Sequence, residues 1–202
     1  MTDSCIWVYR EMRSGGSWLC NFLSHNLQKR HIFLEHHSQI SLKMKPNPSH
    51  SKYIFSTHKL EYFAPVLDYD NPIVIKCSRK NHFEQMLSEF FLSLTDRTVS
   101  NIISDDDYVK FQTMTNQRIS RVTKEDVKFY KDRKNQELVL FESFMQGLEI
   151  NTIYYEDFFE GTKISDIDLL IKFDETVTKK LPDYKQSVFV NYEEIKDWFY
   201  NS

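Results

Sequence analysis

The sequence predicts an α/β fold, a mainly parallel central sheet flanked by helices. Three observations carry that reading. Short apolar runs at residues 6–9, 53–57, 73–77 and 150–155 have the length and β-branched or aromatic content of buried strands. Between them lie segments whose apolar residues recur at three- and four-residue steps, as on one face of a helix. Strands alternating with helices imply parallel pairing and right-handed crossovers, and ligands of such sheets bind at the carboxyl ends of the strands.

Each element has its own justification. Residues 6–9 run into the turn Arg13-Ser14-Gly15-Gly16-Ser17, and Trp18, Leu19, Phe22, Leu23 and Leu27 then mark the first helix. Ile32-Phe33-Leu34 predicts a short second strand, followed by Glu35-His36-His37, where no matching ligand pair makes a metal motif. Residues 43–52, with Pro46 and Pro48, read as a loop. The strand at 53–57 ends at His58-Lys59, and the strand at 73–77 ends at Ser78-Arg79-Lys80. Phe83, Met86, Leu87, Phe90, Phe91 and Leu94 predict a strongly amphipathic helix, with Ser88 off its apolar stripe.

Residues 95–124 are irregular and polar, and their run Asp105-Asp106-Asp107 lacks the spaced oxygen ligands of a calcium loop. A long helix is expected over about residues 125–147, with Val127, Tyr130, Leu138, Phe141, Met145 and Leu148 inward. The strand at 150–155 closes on Glu156-Asp157. Ile164, Ile167, Leu170 and Ile171 suggest another helix, and residues 191–199 a capped final one.

A chain of 202 residues suits a single domain, 1–202, with a substantial core. Sixteen Phe, eleven Tyr and three Trp mark a folded chain rather than a disordered one. The net charge of −3 gives no case for general nucleic-acid or membrane-surface binding. No apolar run reaches the length of a membrane span, and no signal region opens the chain. Three cysteines, Cys5, Cys20 and Cys77, without CxxC spacing, argue against a disulfide framework or a zinc site, and a reducing cytoplasm is the expected setting.

Function concentrates at the first turn. Glycines let the backbone approach a ligand, the first N–H groups of a helix lack intrahelical partners, and Arg13 adds a positive charge. Two of the chain's four glycines are here. A plain strand-to-helix connection would also use them. Arg13 to Ser17, His58, Arg79 and Glu156 all follow predicted strands, so they should converge on one edge of the sheet. Competing roles are open for each: Trp18 as core, His58 as a hydrogen-bonded strand end, Arg79 in a salt bridge with Glu156 or Asp157, and Ser88 as an ordinary helix hydroxyl.

Arg13-Ser14-Gly15-Gly16-Ser17-Trp18-Leu19 resembles the phosphosulfate loop Pro-Lys-Ser-Gly-Thr-Thr-Trp-Leu of sulfotransferases that use 3′-phosphoadenosine 5′-phosphosulfate (PAPS). Thr57-His58-Lys59-Leu60 resembles the family's Lys-Thr-His-Leu-Pro element. Arg79 and Ser88 resemble its Arg-Asn-Pro turn and following serine, and Tyr155-Glu156-Asp157-Phe158 is similar to Tyr-Glu-Asp-Leu. The four stand in the family's order over about three quarters of the chain, and the end of the chain looks like that of small bacterial and phage members. The resemblance implies a P-loop NTPase-like sulfotransferase architecture, PAPS as co-substrate, no metal, and a small-molecule, sugar or lipid acceptor. It places the 5′-phosphosulfate on Ser14, Gly15, Gly16 and Ser17, the adenine on Trp18, and the 3′-phosphate on Arg79 and Ser88. Arg13 would stabilise the leaving group and His58 would be the general base.

Departures accompany it. Arg13 replaces a lysine, Ser56 stands where the family has the lysine before Thr-His, Arg79 lacks the following proline, and the C-terminal Arg-Lys-Gly is absent, with Lys179, Lys180 or Lys185 as substitutes or ordinary surface lysines. Two alternatives stay open. One is a degenerate member that binds a nucleotide or a partner without catalysis. The other is an ATP-using P-loop kinase, against which the missing Gly-x-x-x-x-Gly-Lys spacing counts. The acceptor pocket is expected from the Pro46 loop, residues 61–67 and the segment 95–124.

Overall fold

The computed structural model describes residues 4–37, 44–94, 109, 113, 121–172 and 185–201. In chain order the elements are β1 (Ile6–Arg10), α1 (Gly16–Leu27), β2 (Arg30–Phe33), β3 (Tyr53–Thr57), α2 (Leu60–Phe63), β4 (Ile73–Ser78), α3 (His82–Leu94), α4 (Lys124–Phe144), β5 (Ile150–Tyr154), α5 (Asp157–Glu160), β6 (Thr162–Ile164), β7 (Leu169–Ile171), α6 (Lys185–Val188) and α7 (Tyr192–Asn201). Short 3-10 turns join several of them, including Leu34–His37 after β2.

The first five strands form one parallel sheet in the order β2-β3-β1-β4-β5. Its central strand is apolar on both faces because both are covered. Ile6 and Val8 pack with Leu19, Cys20 and Leu23 of α1. Trp7 and Tyr9 point the other way, against the Phe63 ring of α2, at centroid distances of 5.6 and 6.0 Å. Continuous burial of this kind is what parallel strands require. From β1 the chain crosses to β2 on one side, β3 fills the gap, and β4 and β5 follow on the other side of β1. The next strand after β1 therefore lies toward one edge of the sheet and the next after β4 toward the other, the strand-order reversal at whose carboxyl ends open α/β sheets bind ligands.

The chain gathers into two compact units, Met1–Lys80 with Gly147–Phe173, and Asn81–Gln146 with Asp174–Ser202. The first contains the sheet. The second holds a helical core of Phe83, Met86, Leu87, Phe91, Val127, Tyr130 and Ile195, contributed by α3, α4 and α7. Its α4 begins with a reciprocal cap in which Thr123 and Asp126 each bond the other's backbone.

Three expectations need correction. The segment after Gly161 is an antiparallel hairpin, β6 paired with β7, and not a helix. Ile164, Ile167 and Ile171 are buried as expected, but Asp168 has φ +47°, which no helix tolerates, and the β-branched isoleucines favour strands. The second strand is Arg30–Phe33, two residues earlier than its apolar run, because it pairs with β3 from Arg30 onward. Leu138 is 45% exposed rather than inward on α4. The acidic run at 105–107 and most of the segment 95–124 lie outside the described residues.

Candidate functional site

The carboxyl ends of β1, β3, β4 and β5 bring together, within the first unit, the loop 11–17, His58, Arg79 and Glu156. Parallel pairing makes this unavoidable, since each residue follows its strand by only a few positions.

The loop is built from its backbone. The Ser14 N–H and hydroxyl both donate to the Glu11 carbonyl, at 3.2 and 2.7 Å, so the buried Ser14 side chain closes the turn. Glu11 N–H donates to the Cys77 carbonyl, and the Cys77 thiol donates to the Ser14 carbonyl, tying the loop to β4. Burial pushes that thiol up to about 12, which leaves it protonated. Gly15 has φ +78° and is the residue before α1, whose start carries no side-chain cap. A Cβ on Gly15 would lie 2.5 Å from the Tyr155 ring, and one on Gly16 would lie 2.7 Å from the Arg10 side chain. Both glycines are therefore demanded by close packing, and the first N–H groups of α1 follow them without an intrahelical partner, as anion-binding helix starts do.

Arg10, at the end of β1, was not legible as a site residue. It is 4% exposed, its Nη1 donates to the Ser17 hydroxyl at 3.0 Å, and its guanidinium lies 4.4 Å from the Phe33 ring centroid. Its Nε has no hydrogen-bond acceptor. The same Phe33 ring makes a T-shaped contact with His58, with centroids 5.4 Å apart.

His58 is held by a second residue that sequence reasoning missed. Its Nδ1 lies 3.4 Å from Glu35 Oε1, and its backbone N–H donates to the same oxygen at 2.6 Å. The Thr57 hydroxyl also donates to it, at 3.0 Å. A signal for the pair exists: Phe33 is opposite Ser56 in the β2–β3 register, so Glu35 and His58 each stand two residues beyond a matched pair.

On the other flank Arg79 Nε lies 3.3 Å from Glu156 Oε1, with the guanidinium 5.0 Å from the Tyr155 ring centroid. Glu156 also accepts the Lys80 N–H at 2.8 Å, and Lys80 pairs with Asp157 at 2.5 Å. Burial raises the Tyr155 hydroxyl above its usual range, against the pull of Arg79, so this ring is a neutral spacer between Gly15 and Arg79. Trp18 stacks on Phe22 at 5.2 Å and leans on Phe158 at 4.9 Å, half-buried at the start of α1. Ser88 is buried on α3 in the second unit. Lys185 is also buried there and pairs with Glu84, which removes it as a surface lysine, while Lys179 and Lys180 lie outside the described residues.

No described helix is long and apolar enough to cross a membrane. The chain matches no protein-family model, and no curated protein or solved structure is significantly similar to it.

Proposed function

We propose that the carboxyl edge of the sheet carries a sulfuryl transfer from PAPS to a hydroxyl or amine of a small metabolite, sugar or lipid. One observation supports this most: a glycine loop at a helix start and a carboxylate-oriented imidazole lie on the adjacent strands β1 and β3, at the same end. An anion cradle beside a proton acceptor suits transfer of a charged group to a protic nucleophile.

In this reading, Glu35 accepts the Nδ1 proton of His58 and leaves Nε2 to take the acceptor's proton. The acceptor oxygen or nitrogen then bonds to sulfur. The bond from sulfur to the bridging oxygen breaks, and its electron pair departs on adenosine 3′,5′-bisphosphate. Arg13 and the N–H groups of the loop balance the charge that grows on that oxygen. Ser14 contributes through its backbone, because its hydroxyl is already given to Glu11. The Nη groups of Arg79 lie outside its Nε contact with Glu156 and serve the 3′-phosphate. Trp18 offers the adenine its solvent-facing part.

Isothermal titration with adenosine 3′,5′-bisphosphate tests the reading. The folded protein should bind it, and a His58→Ala variant should bind it as well while no longer releasing it from PAPS in the presence of acceptor. A folded protein that takes up no adenosine 3′,5′-bisphosphate contradicts the proposal.

A further inference from the structure

Arg10 is the unusual group of this unit. A guanidinium stays protonated at any accessible pH, so it cannot shed its charge when buried. Arg10 is 4% exposed, and its hydrogen bond to Ser17 is to a neutral hydroxyl. Among the described residues no carboxylate lies within ion-pair distance of it, and its buried Nε–H has no acceptor. The Phe33 face offsets part of the desolvation, but a ring quadrupole is weaker than a counter-charge. The side chain is also aimed. Its stem runs under Gly16, the first residue of α1, and its tip reaches Ser17, the second. The uncapped helix start and the unsatisfied guanidinium thus share one place, and both lack negative charge.

We infer that Arg10 is the principal anion-binding side chain of the loop, meeting the oxygens of a phosphosulfate or diphosphate group at the start of α1. This deepens the reading proposed above and rests on it for the identity of the ligand. The two arginines then divide the work. Arg13 follows β1 by three positions and stands two before Gly15, which packs on Tyr155, whereas Arg10 lies over Phe33 and through it toward His58. Arg10 is accordingly the cation on the side where the group is transferred, and Arg13 the one on the side where the nucleotide departs. Ser56 has a small buried side chain on the strand next to β1, opposite Val8, two residues from Arg10 along β1. The charge that the resemblance would place at position 56 is supplied in this chain from β1.

Inorganic pyrophosphate is the probe, because its binding needs no nucleotide. The full chain is titrated with it, following heat and the Nε–H resonances of the arginines. The wild type should bind, the Arg10 Nε–H signal should shift, and Arg10→Met should weaken binding by at least about tenfold, the loss expected for charge-assisted hydrogen bonds. Arg10→Lys, which keeps the charge without the fork, should fall between. Unchanged affinity in Arg10→Met, an unmoved Arg10 Nε–H signal at saturation, or no pyrophosphate binding by the wild type overturns the inference. Should Arg10→Met fail to fold, the Nε–H signal of the wild type decides. Pyrophosphate binding through Arg10 with no uptake of adenosine 3′,5′-bisphosphate would uphold this inference and defeat the PAPS reading.

Discussion

Glu35 Oε1 receives contacts from the Thr57 hydroxyl, the His58 N–H and His58 Nδ1. Burial alone would raise its pKa, but the hydrogen bonds from His58, its charge and the Thr57 hydroxyl outweigh that and leave it at about 2. A carboxylate whose folded pKa is depressed stabilises the fold above its unfolded value and loses that contribution as pH falls. For Glu35 the window runs from about 4.5 down to about 2. His31 acts in a separate window. Burial, then the charge of Arg10, lowers it from 6.5 to about 4, so the unfolded chain binds its proton first and stability falls as pH drops through that range. We expect Glu35→Gln to cost on the order of 1–3 kcal/mol at pH 7 and to flatten the fall below pH 4.5, as read by urea unfolding at several pH values. Its second readout is the tautomer of neutral His58 by long-range proton–nitrogen NMR. The Nδ1–H form should dominate in the wild type and lose that dominance in the variant. An unchanged tautomer would mean that Glu35 braces the strand without orienting the imidazole.

The strand–loop–helix from β1 to α1 is the element on which the site depends, and its glycines make it testable. Gly15 combines a left-handed φ of +78° with a Cβ direction 2.5 Å from Tyr155. Gly15→Ala should therefore destabilise by about 2–4 kcal/mol, roughly 1 from the backbone and the rest from displacing the partly buried Tyr155 ring. Chemical denaturation measures it, and a cost under about 0.5 kcal/mol would mean that the loop is looser than described. Much of this element was legible in the sequence, because an apolar run, a glycine pair and a helical stripe each leave a local signature. Arg10 was not, since one arginine after Ile6 to Tyr9 reads as a strand end, and only packing shows its tip under the loop. The hairpin β6–β7 was misread for a related reason. Isoleucines at 164, 167 and 171 satisfy helical spacing, and the feature that forbids the helix is a backbone angle at Asp168.

At the scale of the molecule, the parallel sheet and the convergence at its carboxyl edge followed from strand runs alone, because parallel topology leaves little choice about where strand ends meet. The residues that tune the edge are pairs distant in sequence. Glu35 meets His58 through the β2–β3 register, and Arg79 meets Glu156 through β4–β5. The Arg79–Glu156 pair was one of the roles open in the sequence, since both residues follow strands, whereas Glu35–His58 becomes visible only once β2 is known to lie beside β3. The central claim is that this edge receives the donor nucleotide. Its most direct test is a map of backbone amide shifts during titration with adenosine 3′,5′-bisphosphate. The account predicts the largest shifts at residues 13–18, with further ones at His58 and Arg79. Shifts confined to other elements, with 13–18 unmoved at saturation, would contradict it.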